Sequence, residues 1–197
     1  RDLKWEKAHQ YDIGMDLSLF SNSFKVTVDI FQKDTKDLLY NKPTSAVSGF
    51  TYKISNIGSI RNRGLEITLG GDLSYSDFRW TGDFNLAFVK NRLTSLTDDD
   101  DILTTDDYHA LKVGEEVGSF YLIKMLGIYQ SDEEVPETLY KEGVRAGDIR
   151  YEDVNRDGRI DTVNDSQFVG SANPLFTGGF SNTFKWRGLD LNIFLTF

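Results

Sequence analysis

Asp153, Asn155 and Asp157 set three oxygen-bearing side chains on alternate residues, and Gly158 follows with the freedom for a sharp reversal. Oxygens so spaced fold around one point, which is the opening of a calcium loop. The Arg159 backbone carbonyl is the next candidate ligand, then Asp161, directly or through a water. The twelfth position, where a bidentate Glu is expected, holds Asn164, and Asp165 comes one residue late. The expected set is therefore Asp153, Asn155, Asp157, Arg159, Asp161 and Asp165 around Ca²⁺. The displaced last ligand places its affinity at the weak extracellular end, on the order of 10⁻⁴ to 10⁻³ M. The competing reading is an ion-free loop of Asx turns, held by side-chain to backbone hydrogen bonds.

Catalytic chemistry is not indicated. Asp106-Asp107-Tyr108-His109 puts carboxylates beside an imidazole, but no nucleophile or oxyanion signature accompanies it, so it reads as a solvated loop. The adjacent acids Glu115-Glu116 and Glu133-Glu134 would point to opposite faces of a strand and do not form an acid/base pair. Phe120, Tyr121, Tyr129 and Tyr140 either stack on sugar rings or pack a small local core, and packing is the favoured reading. The net charge of −9 argues against nucleic acid, which needs clustered Lys and Arg. With no cysteine there is neither a disulfide framework nor thiol chemistry.

The elements that must carry the loop follow from alternation. Tyr11, Ile13, Met15, Leu17 and Leu19 alternate with polar residues. After Ser21-Asn22-Ser23, Phe24, Val26, Val28 and Ile30 do the same. A second hairpin joins Leu65, Ile67 and Leu69 to Trp80, Phe84, Leu86 and Phe88 through Tyr75-Ser76-Asp77. A third joins Phe180, Phe184 and Trp186 to Leu189, Leu191, Ile193 and Leu195 through Arg187-Gly188. Leu17, Leu19, Val26, Val28, Ile67, Leu86, Phe88, Leu191 and Ile193 are expected on one face. Asp16, Lys25, Asp29, Glu66, Asp83 and Asp190 are expected on the other.

Strands of about nine to twelve residues, short turns alternating with long connections, and aromatics (Phe24, Phe78, Trp80, Trp186) beside each short turn match a membrane barrel. The fold class is thus all-β: about six antiparallel up-and-down strands of a partial transmembrane barrel. The expected division is barrel strands over 1–90 with a long loop at about 34–56, a long extracellular excursion over 91–174, and a barrel hairpin over 175–197. Within the excursion, Asp98–Asp101 reads as a solvated acidic run, 118–130 as a strand or hairpin, and Ser131 as the cap of a short helix. A soluble calcium-dependent carbohydrate-binding or adhesion β-module is the alternative.

Five stretches carry a resemblance. They are Glu6–Gly14, Ile54–Gly58 with Asn62–Ile67, Val113–Tyr121 with Gly127–Gln130, Ala146–Asn155 with Gly158, Ile160 and Asp161, and Asn173–Pro174 with Phe176–Phe180 and Asn182–Phe184. In order along the chain, they resemble SusC-like (RagA-like) TonB-dependent outer-membrane transporters of Bacteroidetes. The resemblance implies a bacterial outer-membrane location and a plugged barrel of about 22 strands. It implies plug and TonB-contacting segments before Arg1, and further strands after Phe197. It also implies a SusD-like surface lipoprotein as lid, import of oligosaccharides or peptides, contact with outer-membrane lipid, and no bond-making chemistry. In this family an aspartate commonly stands at position twelve of the loop, so the extra residue before Asp165 departs from the pattern.

Overall fold

In the computed structural model, residues 3–44, 47, 49–96 and 102–197 are described. Two compact units form: one from residues 1–101 and 174–197, the other from 102–173. The acidic run Asp98–Asp101 lies outside the described residues.

The first unit opens with β1 (Lys7–Leu19) and β2 (Phe24–Lys36), then a small hairpin of β3 (Leu39–Pro43) and β4 (Tyr52–Asn56). It continues with β5 (Gly58–Tyr75) and β6 (Phe78–Leu96). In the second unit come β7 (Ile102–Thr104), β8 (Ala110–Lys112), β9 (Ser119–Ile123) and β10 (Met125–Ile128). A 3-10 turn (Asp132–Glu134), helix α1 (Glu137–Lys141), β11 (Ile149–Tyr151) and β12 (Ser166–Ser171) complete it. The chain then returns to the first unit with β13 (Thr177–Trp186) and β14 (Leu189–Thr196).

Six long strands make one antiparallel sheet in the order β1-β2-β5-β6-β13-β14. This is a meander. Each neighbour in space is the next long strand in sequence, which is the connectivity of an up-and-down barrel wall. Register fixes the faces, because residues directly opposite each other share a side. Leu17 pairs with Val26, Val26 with Leu69, Leu69 with Phe84, Phe84 with Phe180, and Phe180 with Leu195. An apolar row thus crosses all six strands. Asp29 pairs with Glu66, Glu66 with Ala87, Gly70 with Asp83, and Lys185 with Asp190, all on the opposite parity. The face assignment read from alternation holds at every listed position.

On β6 the apolar side runs from Phe78 to Phe88, interrupted only by Gly82. Ten steps of about 3.4 Å, tilted about 40°, give a band about 26 Å tall, the height of an outer-membrane hydrocarbon belt. Trp80 illustrates how the band closes. Gly82 on its own strand and Gly71 across the ladder leave a floor on which the indole lies flat; a Cβ at Gly71 would come within 2.8 Å of the ring. From there Nε1–H donates to Asn182 Oδ1 at 3.0 Å, so the one amide in this row is both covered and satisfied. Asn182 is 8 % exposed. The aromatics flagged at the turns gather at this end of the sheet: Phe78 pairs with Trp186 and Trp80 with Phe184.

Three inner strands outlast the pattern that revealed them. β2 runs to Lys36, β5 starts at Gly58 and β6 reaches Leu96, giving strands of 13, 18 and 19 residues. The expectation of nine to twelve residues is too short there. Beyond Ile30, Leu65 and Phe88 the same face carries Gln32, Arg63 and Lys90, so the ladder continues while the apolar alternation stops.

The second unit is built differently, from three two-stranded pieces: β7 with β8, β9 with β12, and β10 with β11. The hairpin considered over 118–130 does not form. Only Lys124 separates β9 from β10, too little chain for a hairpin turn, so each strand pairs with a later segment. The expected helix is split as well. Ser131 precedes the 3-10 turn without a side-chain cap, and α1 starts only after Pro136, because a residue before proline is driven out of helical backbone. Capping is supplied from the other direction, by Gln130 N–H donating to Glu134 Oε2 at 3.0 Å.

Candidate functional site: the acidic loop and its relatives

Asp153–Asp165 is seated on the core of the second unit. Ile160 packs against buried Tyr129, Val135 and Leu139. Thr138 on α1 donates its hydroxyl to the Gly158 carbonyl at 2.6 Å. Gly158 itself has φ +78°, a backbone that favours glycine, and a Cβ there would meet Thr138 Oγ1 at 3.1 Å, so that side chain would have to shift.

Around that reversal the first three predicted ligands come together. Asp153 accepts N–H groups of Asp157 (3.2 Å) and Gly158 (2.8 Å), Asn155 Oδ1 accepts from Asp157 (3.1 Å), and Asp157 Oδ1 accepts from Arg159 (2.8 Å). Asn155 Nδ2 also donates to Asp157 Oδ2 at 2.9 Å. A carboxylate offers about four lone-pair sites, so these bonds leave oxygen lone pairs on Asp153 and Asp157 for a hard cation.

The later ligands are placed otherwise. Asp161 closes the next turn. It accepts N–H groups of Val163 and Asn164, each at 2.8 Å, and the Asn164 side-chain amide at 3.0 Å. The Asn164 side chain, then its backbone N–H, hold the Asp161 carboxyl below its ordinary range. Asp165, fully buried, takes Val154 N–H (2.9 Å) on one oxygen and Asp161 N–H (2.8 Å) on the other. It ties the loop's entry to its exit. The extra residue thus turns Asp165 into a backbone clamp. Among the described residues, no three His, Cys, Asp or Glu side chains form a metal cluster.

The remaining flagged residues serve the unit's own structure. Asp106 accepts N–H groups of Tyr108 (2.8 Å) and His109 (2.9 Å) and pairs with His109 Nδ1 at 2.9 Å. The Tyr108 amide first, then the imidazole, lower its pKa. Phe120 lies on the His109 ring, Tyr121 on Phe168, and Tyr129 is a core residue, so packing is the outcome for all three. Tyr140 is partly exposed beneath the Arg145 guanidinium, 3.8 Å from its ring centre. Sequence reasoning missed Glu152, which accepts from Gln167 (2.9 Å), pairs with Lys124 (3.2 Å) and is thereby held ionised below its usual range. It has no motif spacing to give it away.

Comparison with known proteins decides what the sheet belongs to. Residues 1–180 match the family model described as TonB dependent receptor-like, beta-barrel. The chain belongs to that family. It is 34 % identical to TonB-dependent receptor P39 of Formosa agariphila over 95 % of this chain and 21 % of that protein. To TonB-dependent receptor P3 of the same organism it is 32 % identical over 98 % of this chain and 20 % of that protein. The receptor SusC of Bacteroides thetaiotaomicron is 27 % identical over 82 % of this chain and 16 % of that protein. Among solved structures, one chain of the RagAB peptide transporter superposes with TM-score 0.80 at 24 % identity, covering 99 % of this chain and 21 % of that one. The resemblance to SusC-like and RagA-like barrels is therefore correct, and the six strands are a partial wall of an outer-membrane β-barrel. The chain spans about a fifth of the length of these curated relatives. Those relatives are receptors rather than enzymes.

Proposed function

We propose that this segment forms six wall strands and one large external excursion of a transporter that imports oligosaccharides or peptides with energy supplied through TonB. The observation that carries this reading is the meander itself. Three two- to four-residue turns lie at one end of the sheet, and both long connections, including the whole 102–173 unit, leave from the other. In outer-membrane barrels the short turns are periplasmic, which supports an extracellular second unit. There it meets a SusD-like surface lipoprotein and the substrate beneath it. The apolar face lies against outer-membrane lipid. Removing residues 102–173 from the complete transporter is expected to abolish uptake while the barrel still assembles in the outer membrane. Undiminished uptake, or labelling of the unit only from the periplasm, overturns the assignment. Growth on defined oligosaccharides against defined peptides separates the two substrate classes.

The same reading gives the acidic loop a structural Ca²⁺ ion in the calcium-containing medium outside. Asp153, Asn155, Asp157 and the Arg159 carbonyl would hold it, with Asp161, Asp165 or water completing the shell. Support comes from the oxygen spacing and the free lone pairs around Gly158. Calcium is expected to slow proteolysis of the wild-type loop, and Asp157→Ala to abolish that protection without changing the rate in chelator. If calcium and chelator give the same rate for wild type, the loop works through its Asx turns alone.

A further inference from the structure

Above the apolar band, on the same outward parity, the sheet becomes basic. Arg63 lies directly opposite Lys90, and Arg61 directly opposite Arg92, on neighbouring strands β5 and β6. Lys36 and Lys7, themselves cross-strand partners, continue the parity on β2 and β1. Directly opposed like charges destabilise a sheet, and here they occur in consecutive rows of a chain whose net charge is −9. Among the described residues Asp34 alone offsets them, bonded to Arg61 Nε at 2.5 Å. The Arg63 Nε–H donates to Gln32 Oε1 at 2.8 Å, which aims its guanidinium without neutralising it. Lys90 and Arg92 are exposed and have no ion-pair partner among the described residues. Beside them a concavity of about 450 Å³ is lined by His9, Tyr11, Asp34, Lys36 and Arg61.

We infer that this cluster binds the phosphate of a phosphorylated membrane lipid. Two guanidiniums and an ammonium within two rows match phosphate in charge and in bidentate geometry. Continuity decides for a lipid over a soluble anion. The next row down is Ile13, Ile30, Leu65 and Phe88, so a headgroup held by Arg63 and Lys90 hangs its acyl chains directly onto the apolar band. The inner face at the same height offers Asp12, Phe31, Gly64 and Val89 instead. Bound phosphate removes the repulsion between the opposed cations, so the site stabilises the outer ends of β5 and β6. This inference rests on the orientation proposed above, which places these rows at the outer leaflet.

The test uses the complete transporter in vesicles with and without a phosphorylated lipid, and native mass spectrometry of the purified protein. Arg63→Gln/Lys90→Gln/Arg92→Gln is expected to lower lipid affinity on the order of 100-fold, each surface cation contributing roughly fivefold. The charge-keeping Arg63→Lys/Lys90→Arg/Arg92→Lys is expected to retain it to within about tenfold, since bidentate geometry alone changes. Equal lipid retention by the neutral variant overturns the site. So does equal stabilisation of wild type by millimolar inorganic phosphate, which would make it a free-anion site. A photo-crosslinking side chain in place of Leu86 separates the two levels of the argument. Capture of lipid tails with headgroup binding unchanged in the neutral variant defeats the site alone, no capture defeats the lipid-facing assignment with it, and labelling of residues 102–173 only from the periplasm defeats the orientation.

Discussion

The two units solve the same problem, holding an extended backbone, by opposite means. In the six-stranded sheet the ladder does the work: every strand interior is paired over eight or more residues, and side chains sort by parity into an apolar and a polar face. In residues 102–173 the strands are three to six residues long, and short side chains bond to the backbone where no ladder reaches. One region is stabilised by repetition and environment, the other by individual residues. Substitutions should therefore act by row and face in the first and by single hydrogen bonds in the second.

The largest effect expected from that contrast is Leu86→Arg, in the middle of the apolar band. Placing a charge there costs about 2–4 kcal/mol in lipid, whereas Asn85→Arg, one residue away on the other face, is expected to cost far less. Unfolding of the complete barrel from vesicles measures both, and equal costs would break the face assignment. Next comes Asp165→Ala, which leaves two N–H groups, those of Val154 and Asp161, without their buried acceptor. A loss of about 1–3 kcal/mol is expected in the stability of the second unit, with Asp165→Asn intermediate because one acceptor oxygen remains. Hydrogen exchange over 153–165 reads it, and the six strands should keep their protection.

A smaller effect is expected of Trp80→Phe. The ring still fits over Gly71 and Gly82, but Asn182 loses its donor in a row facing lipid. The expected cost is about 1 kcal/mol, relieved by the double variant with Asn182→Leu, so a double-mutant cycle detects the coupling. The mildest perturbation is pH. Asp106, Glu152 and Asp161 are held below their ordinary values of 3.8, 4.5 and 3.8, chiefly by the Tyr108 amide, the Gln167 side chain and the Asn164 side chain. The stability they contribute is fully present above those ordinary values and is lost as pH falls through the lowered folded ones. Exchange protection over 102–173 should therefore weaken as pH falls below about 4.

Legibility in the sequence follows the same division. Period two exposes a strand only where one face is uniformly apolar. Leu65, Ile67 and Leu69 were readable, whereas Ile60–Gly64 were not, although the same ladder runs through them. Hydrogen bonding continues past the membrane's edge; the hydrophobic signal does not. In the second unit, composition marked the acidic loop but could not say which carboxylates turn toward which backbone amides. One inserted residue decided that for Asp165, and its effect depends on the backbone path. Glu152 and Gln167 meet across 15 positions with no periodicity to announce them.

β6 and β13 are adjacent, antiparallel and paired from Ala87–Thr177 to Phe78–Trp186, so to the wall the 80 residues from 97 to 176 amount to a hairpin loop. Chain closure grows only with the logarithm of length. Replacing a two-residue turn by this one costs about 3 kcal/mol in closure entropy, a sum the folded unit recovers from its own core. Such a joint is a natural site for recombination. Excursions can be exchanged between barrels at one fixed pair of strand ends, and new specificities can arise without renegotiating the register of a single wall strand.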